Sequence, residues 1–299
     1  MKSDSQLLNK IASDSTLIHC LTHEESVSLK RTLLNMLKDI TRVCEENDLT
    51  YMLAGGSCLG AIRHKGFIPW DDDLDLIMPR ESYDSFILLL RRGALGDSYE
   101  FNYPAHKEDS KTPYLKIYRK GTLDDELYNE NTPFPKGIFI DVFPMANVPR
   151  YKLFQRFRSL ISDGLLHIST CVLYAQYPSP LFAEYVSYSS EANRRYRIRL
   201  LIGKVFSIFP HWRWVYWFDK FNSSLRPTGY LSVPNGRKHY LGEVLPTSCF
   251  FPVSYSSFEG FKVPVPHDYD SYLRNLYGDY LMIPPEEKRE RHFVYRFKC

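Results

Sequence analysis

The stretch from residue 51 to residue 78, YMLAGGSCLGAIRHKGFIPWDDDLDLIM, constrains the fold more than any other part of the chain. Thr50 to Ala54 reads as a short strand ending in a Gly55-Gly56-Ser57 turn, Cys58 to about His64 as a short helix, and Leu74 to Met78 as a second strand. Residues two apart on an extended strand face the same side. Asp73 and Asp75 therefore project together, with Leu74 and Leu76 packed behind them, and Asp71 joins them if the strand starts early. Two carboxylates a strand step apart, with the phosphate oxygens of a ligand, make the all-oxygen site that a hard cation such as Mg²⁺ (or Mn²⁺) prefers. Phosphoryl transfer needs such a site because negative charge gathers on the phosphate oxygens and must be neutralised.

Two further elements point the same way. Gly55 and Gly56 allow a backbone to approach a phosphate closely, Ser57 adds a hydroxyl, and the following helix N-terminus offers N–H groups and a positive dipole end. Asp141 stands among apolar residues in Gly137 to Phe143, GIFIDVF, where an acid is costly without a partner. It could complete the metal site or act as a general base toward an acceptor hydroxyl. Each feature alone is more often structural: a turn, a solvated acidic cluster, a salt-bridge partner. Their order carries more weight: strand, Gly-Gly-Ser, helix, Asp-x-Asp strand, then a single strand Asp. That is the layout of the nucleotidyltransferase superfamily, so the fold expected is α/β (α+β), a mixed β-sheet core with flanking helices and a helical insertion.

Residues 1–25 read as a leader, 26–149 as the catalytic core, 150–228 as the helical insertion and 229–299 as a C-terminal segment completing the site. Leu29, Leu33, Leu37, Ile40 and Val43 mark a helix from Ser26 to Asn47. Tyr83 to Arg92 reads as helical, Tyr114 to Arg119 and Gly137 to Phe143 as strands, and Tyr269 to Tyr280 as a last helix. The net charge of +3 is too mild for a nucleic-acid partner. Six scattered cysteines without a CxxC pair suggest neither zinc nor a disulfide framework, and a reduced, cytoplasmic setting is the simpler reading. No signal peptide or membrane-spanning run is visible. Arg199 to Phe218 comes nearest to a membrane segment, either as an interfacial helix or, more simply, as a buried one.

The words GGSCLGAIRHKGFIPWDDDLDLIM resemble the signature of the LicD family of phosphocholine transferases, which includes fukutin and fukutin-related protein. LKIYRKGT at 115–122, GIFIDVFP at 137–144 and the tail from 258 to 289, with His292 beyond it, agree with that family. The resemblance implies a nucleotidyltransferase fold and transfer of phosphocholine, or a similar phospho-alcohol, from a CDP-activated donor such as CDP-choline. The acceptor would be a hydroxyl of a glycan in lipopolysaccharide, teichoic acid or capsule, which could be lipid-linked, and CMP would leave. Asp71, Asp73, Asp75 and Asp141 match the metal-binding acids. Gly55, Gly56 and Ser57 match the phosphate-side turn. Arg63, His64 and Lys116 fall at cationic positions that could hold phosphate oxygens or pair with the acids. Tyr277, Lys288, Arg289 and His292 lie in the tail motif, where aromatic faces would suit a trimethylammonium group. Trp70 fits either a pocket wall or core. A nucleotidyltransferase using an NTP, and a non-catalytic nucleotide- or glycan-binding protein, are the alternatives. The expected location is cytoplasmic, with peripheral contact at the inner face of the plasma membrane.

Overall fold

A computed structural model describes residues 17–105, 110, 112–285, 289 and 293–299. Most of the leader, residues 1–16, and two of the tail residues named above, Lys288 and His292, lie outside the described residues. The first helix, α1 (His23–Glu46), starts where Thr22 forms a capping box: its hydroxyl accepts from the Glu25 N–H, and the Glu25 carboxylate accepts from the Thr22 N–H. Leu29, Leu33, Leu37 and Ile40 then recur on one face and are buried, which holds α1 against the sheet.

In chain order there follow β1 (Met52–Leu53), α2 (Gly55–Arg63), β2 (Asp75–Met78), α3 (Arg80–Arg91), β3 (Tyr99–Asn102), β4 (Leu115–Arg119), β5 (Leu123–Glu126), β6 (Phe139–Pro144) and β7 (Ala146–Asn147). Four helices come next: α4 (Lys152–Gln176), α5 (Pro180–Ser187), α6 (Ser190–Phe206) and α7 (His211–Asn222). The chain ends with β8 (Tyr230–Ser232), α8 (His239–Gly242), β9 (Leu245–Pro246), α9 (Thr247–Phe250), the hairpin β10 (Ser254–Phe258) and β11 (Phe261–Val265), α10 (Tyr269–Tyr277) and β12 (Val294–Lys298).

The central sheet has the order β1-β2-β6-β4-β3. β2 and β6 run parallel while every other pairing in it is antiparallel, so the sheet is mixed. Its strands bury Leu76, Ile77, Ile117, Ile140 and Val142. β5 pairs instead with β12, and β7, β8 and β9 form a small sheet that brings the segment after the helical stretch back beside the core.

Three boundaries differ from the sequence reading. The Gly-Gly-Ser run is not a turn ahead of a helix; it is the first turn of α2, entered through Gly55 at φ 47°. That φ lies in the left-handed region, which glycine tolerates at little cost. β2 begins at Asp75, so Asp73 sits in the approach to the strand rather than inside it. The apolar stretch 199–218 is two helices, because Pro210 caps α7 and cannot continue α6. α7 buries Trp214, Val215 and Phe218, so this half is core-facing.

Candidate active site

β2, the loop before it and the N-terminus of α2 bring the acids together. The loop is pinned from behind: the Asp71 N–H donates to the Ile68 carbonyl, and the Lys30 amine reaches the Ile68 and Pro69 carbonyls at 3.3 and 2.9 Å. Burial lowers the pKa of Lys30, against the pull of the neighbouring acids Asp71, Glu259 and Asp72. Asp71, Asp72 and Asp73 each offer a carboxylate oxygen, and these oxygens lie within 4.8 Å of one another. Asp75 stands next along the chain, beyond the buried Leu74.

These four acids line one wall of a cavity of about 730 Å³. The α2 glycines give the carboxylates room. A Cβ on Gly55 would lie 3.6 Å from both the Asp75 carboxylate and the Tyr277 hydroxyl, and a Cβ on Gly56 would lie 2.8 Å from the Asp71 carboxylate. The Gly55 N–H donates to the Tyr272 hydroxyl at 3.0 Å. The helix N-terminus therefore receives protein oxygens at the place where the sequence suggests a phosphate.

Four residues expected at the site fall outside the cavity wall. The buried Ser57 hydroxyl accepts from the Asp75 N–H at 2.8 Å, fastening α2 to β2, so it faces the strand rather than a ligand. His64 accepts from the Arg63 Nε at 2.9 Å and meets Trp70 edge-on. Its pKa is lowered, first by burial and then by the Arg63 charge. Asp141 on β6 is the register partner of Asp75 on β2 and of Lys116 on β4, so these three residues form one row across adjacent strands. Register partners point to the same face of a sheet. Lys116 and Asp141 are both buried and form an ion pair at 3.3 Å. Lys116 thus pairs with Asp141 rather than with the Asp71–Asp75 run, since a buried acid in an apolar strand takes the cation nearest to it.

Arg63, Tyr277, Arg289 and Trp70 do line the cavity. Arg63 donates to the Tyr280 and Met282 carbonyls at 2.7 and 3.3 Å, tying the tail across the opening. Trp70 is a wall, with the Arg289 guanidinium 4.1 Å from its ring centre. Tyr277 is held protonated: burial pushes its pKa well up, and Asp71, Asp75 and Asp73 push it further, against the opposing pull of Arg237. It is available as a hydroxyl donor facing the acids.

Another part of the lining was not legible in the sequence. Asn235, Gly236 and Arg237 enter the cavity from the loop after β8, and Glu243 from the end of α8. Arg237 stacks over Tyr277 at 4.8 Å. The buried Glu243 carboxylate accepts from the Lys238 N–H at 2.9 Å and fits under Gly236, where a Cβ would lie 2.5 Å from it. The Asn-Gly pair signals only a turn, and Glu243 carries no local motif.

Burial raises the Glu243 pKa to about 7, despite the opposing Lys238 N–H and the Arg237 and Lys238 charges. A carboxyl whose folded pKa is raised holds its proton more tightly in the folded state. Its contribution is therefore full below the unfolded pKa of about 4.3 and is lost as pH rises toward the folded value. Glu243→Gln keeps the acceptor but cannot ionise. Denaturation of both proteins at pH 5 and pH 8 should show the wild type losing about 2–3 kcal/mol relative to the variant across that window. A pH-independent difference would mean that Glu243 is solvated.

Residues 48–154 match the family described as LicD/FKTN/FKRP, nucleotidyltransferase domain. Over 286 residues the chain is 27% identical to the lipopolysaccharide cholinephosphotransferase LicD of Haemophilus influenzae, an alignment covering 87% of this chain and 93% of that protein. It is also 28% identical over 160 residues to an uncharacterized protein of Rickettsia prowazekii, covering 46% of this chain and 60% of that one. A Rickettsia typhi protein, also described as uncharacterized, is 28% identical over 158 residues.

Proposed function

From the match of residues 48–154 to the LicD/FKTN/FKRP nucleotidyltransferase domain, we propose that the chain is a metal-dependent phosphotransferase of that family. In this reading it moves phosphocholine, or a similar phospho-alcohol, from a CDP-activated donor to a hydroxyl of a cell-surface glycan, with lipopolysaccharide the foremost candidate. The observation that carries the reading is that one cavity is lined by Asp71, Asp72, Asp73 and Asp75 together with Arg237, Arg289 and Tyr277. A diphosphate needs both kinds of group: cations for its oxygens, and acids for a metal and for the attacking hydroxyl.

The donor set fits Mg²⁺ or Mn²⁺, since the close carboxylates of Asp71, Asp72 and Asp73 are hard oxygen ligands and Asp75 stands beside them. The bound ion would neutralise charge on the phosphate oxygens. The chain's own residues do the rest. Arg237 and Arg289 hold diphosphate oxygens, and the Tyr277 hydroxyl donates to one of them. The acceptor hydroxyl passes its proton to one of the carboxylates and its oxygen bonds to the phosphorus that carries the alcohol. The bond from that phosphorus to the bridging oxygen breaks, and CMP leaves with the electron pair.

Incubating the protein with CDP-choline, Mg²⁺ and lipopolysaccharide should release CMP only when donor, ion and acceptor are all present. A folded protein that releases no CMP from CDP-choline or other CDP-alcohols on any glycan overturns the reading. Pyrophosphate release from an NTP would assign the site to nucleotidyl transfer instead.

A further inference from the structure

The first three turns of α4 are built inside out. Gln155, Ser159 and Ser162 face the protein and are buried. Each spends its polar group inward: Gln155 donates to the Pro149 carbonyl, Ser159 to the Asp163 carboxylate and Ser162 to the Asn222 side chain. The outward face carries Leu153, Phe154, Phe157 and Leu160, which are 57–75% exposed. Single exposed apolar residues are ordinary, but four contiguous ones opposite a polar inner face mark a surface meant to be covered.

α6 extends the surface. Gly203 lies against the Cys171 carbonyl with no room for a Cβ, so the two helices are immediate neighbours. Leu201, Val205 and Ile208, at its end, are 61–75% exposed.

Charge identifies the covering partner. Residues 150–162 and 192–213 hold ten of the chain's 38 basic residues and none of its 35 acidic ones. These two stretches carry +10, and the remainder of the chain carries −7. Apolar side chains in stretches so rich in Lys and Arg match an acidic lipid surface, into which the first insert and to which the second are drawn. A second copy of this chain would bring like charges together and is disfavoured. Among the described residues no helix is long and apolar enough to cross a membrane, so the contact is with the surface.

We propose that the outward faces of α4 and α6 dock the protein on an anionic phospholipid bilayer. The inner side of α4 packs on α8, where Asp163 accepts from the Tyr240 N–H, and α8 leads directly to Glu243 in the cavity lining. A docked protein would thus hold its cavity wall on the same scaffold as its lipid contact, suited to an acceptor anchored in that bilayer.

The test is sedimentation of the full chain with phosphatidylcholine vesicles, with and without phosphatidylglycerol. Binding should require phosphatidylglycerol and weaken as salt rises. Phe157→Ser with Leu160→Ser should leave the melting temperature unchanged and weaken binding about tenfold or more. Arg156→Gln with Lys204→Gln should weaken it through charge alone. A wild-type protein that stays in the supernatant at low salt overturns the proposal, as does a serine variant that binds like wild type. So does a stable dimer, measured by light scattering, that the serine variant splits, because that result gives the face to a second copy. None of these readouts depends on the transfer reaction.

Discussion

Asp73→Asn is expected to cut CMP release about a thousandfold while leaving the protein folded. The substitution keeps the shape of the side chain and removes one charge from the Asp71–Asp73 group, the closest set of carboxylates in the cavity wall. Metal stabilisation of a phosphoryl transition state amounts to several kcal/mol, and about 4 kcal/mol is a thousandfold in rate. Asp73 is only half-buried and lies outside the regular strand, so the fold does not depend on its charge. A change in melting temperature of more than a few degrees would assign it to the scaffold instead. A second readout separates loss of metal from loss of a base. Mg²⁺ or Mn²⁺ should raise the wild-type melting temperature by mass action, and should not raise that of Asp73→Asn. A variant that keeps this shift but loses turnover would make Asp73 the proton acceptor. Asp75→Asn, one strand step on, is expected to be equally inactive.

The acids, Tyr277 and Arg289 were readable in the sequence while Arg237 and Glu243 were not, and the reason is range. Alternation around Leu74 and Leu76, the isolated Asp141 and the periodicity of α1 are local signals, each set by residues a few positions apart. They locate β2, β6 and their acids. Arg237 and Glu243 reach the cavity only because β7 pairs with β8 and returns the chain after some eighty residues, and no window of the sequence holds that pairing. Gly55 and Gly56 read as a turn, yet the backbone enters α2 there, and both residues line the cavity beside Asp71, Asp75 and Tyr277. The Ser57 hydroxyl is taken up by the Asp75 N–H, a main-chain donor that needs an acceptor at the start of β2. Residues 150–228 read as a helical insertion, but that reading does not say which face of a helix such as α4 turns inward. There, Ser162 and Asn222 give the inner face a polar partner, and the apolar face is left outside.

Lys116→Met should destabilise the fold by about 3–5 kcal/mol, the usual cost of stranding one member of a buried ion pair. Strand register leaves Asp141 no other arrangement: it lies between Asp75 on β2 and Lys116 on β4, with Val142 and Ile140 buried on either side. Removing the ammonium leaves a buried carboxylate beside a second acid and without its ion-pair partner. Denaturant unfolding of Lys116→Met, Asp141→Asn and the double variant forms the test. The double variant should recover much of the loss, because it strands no charge; a coupling energy near zero would mean that the pair is solvated. The same set decides whether Asp141 belongs to the metal as well as to the sheet. If a cation at the neighbouring acids also feels Asp141, Mg²⁺ should return part of the lost stability to Lys116→Met, by mass action on the folded state, and return none to Asp141→Asn. If Mg²⁺ stabilises both variants alike, Asp141 is the counter-ion of Lys116 alone, and the metal is left to Asp71, Asp72, Asp73 and Asp75.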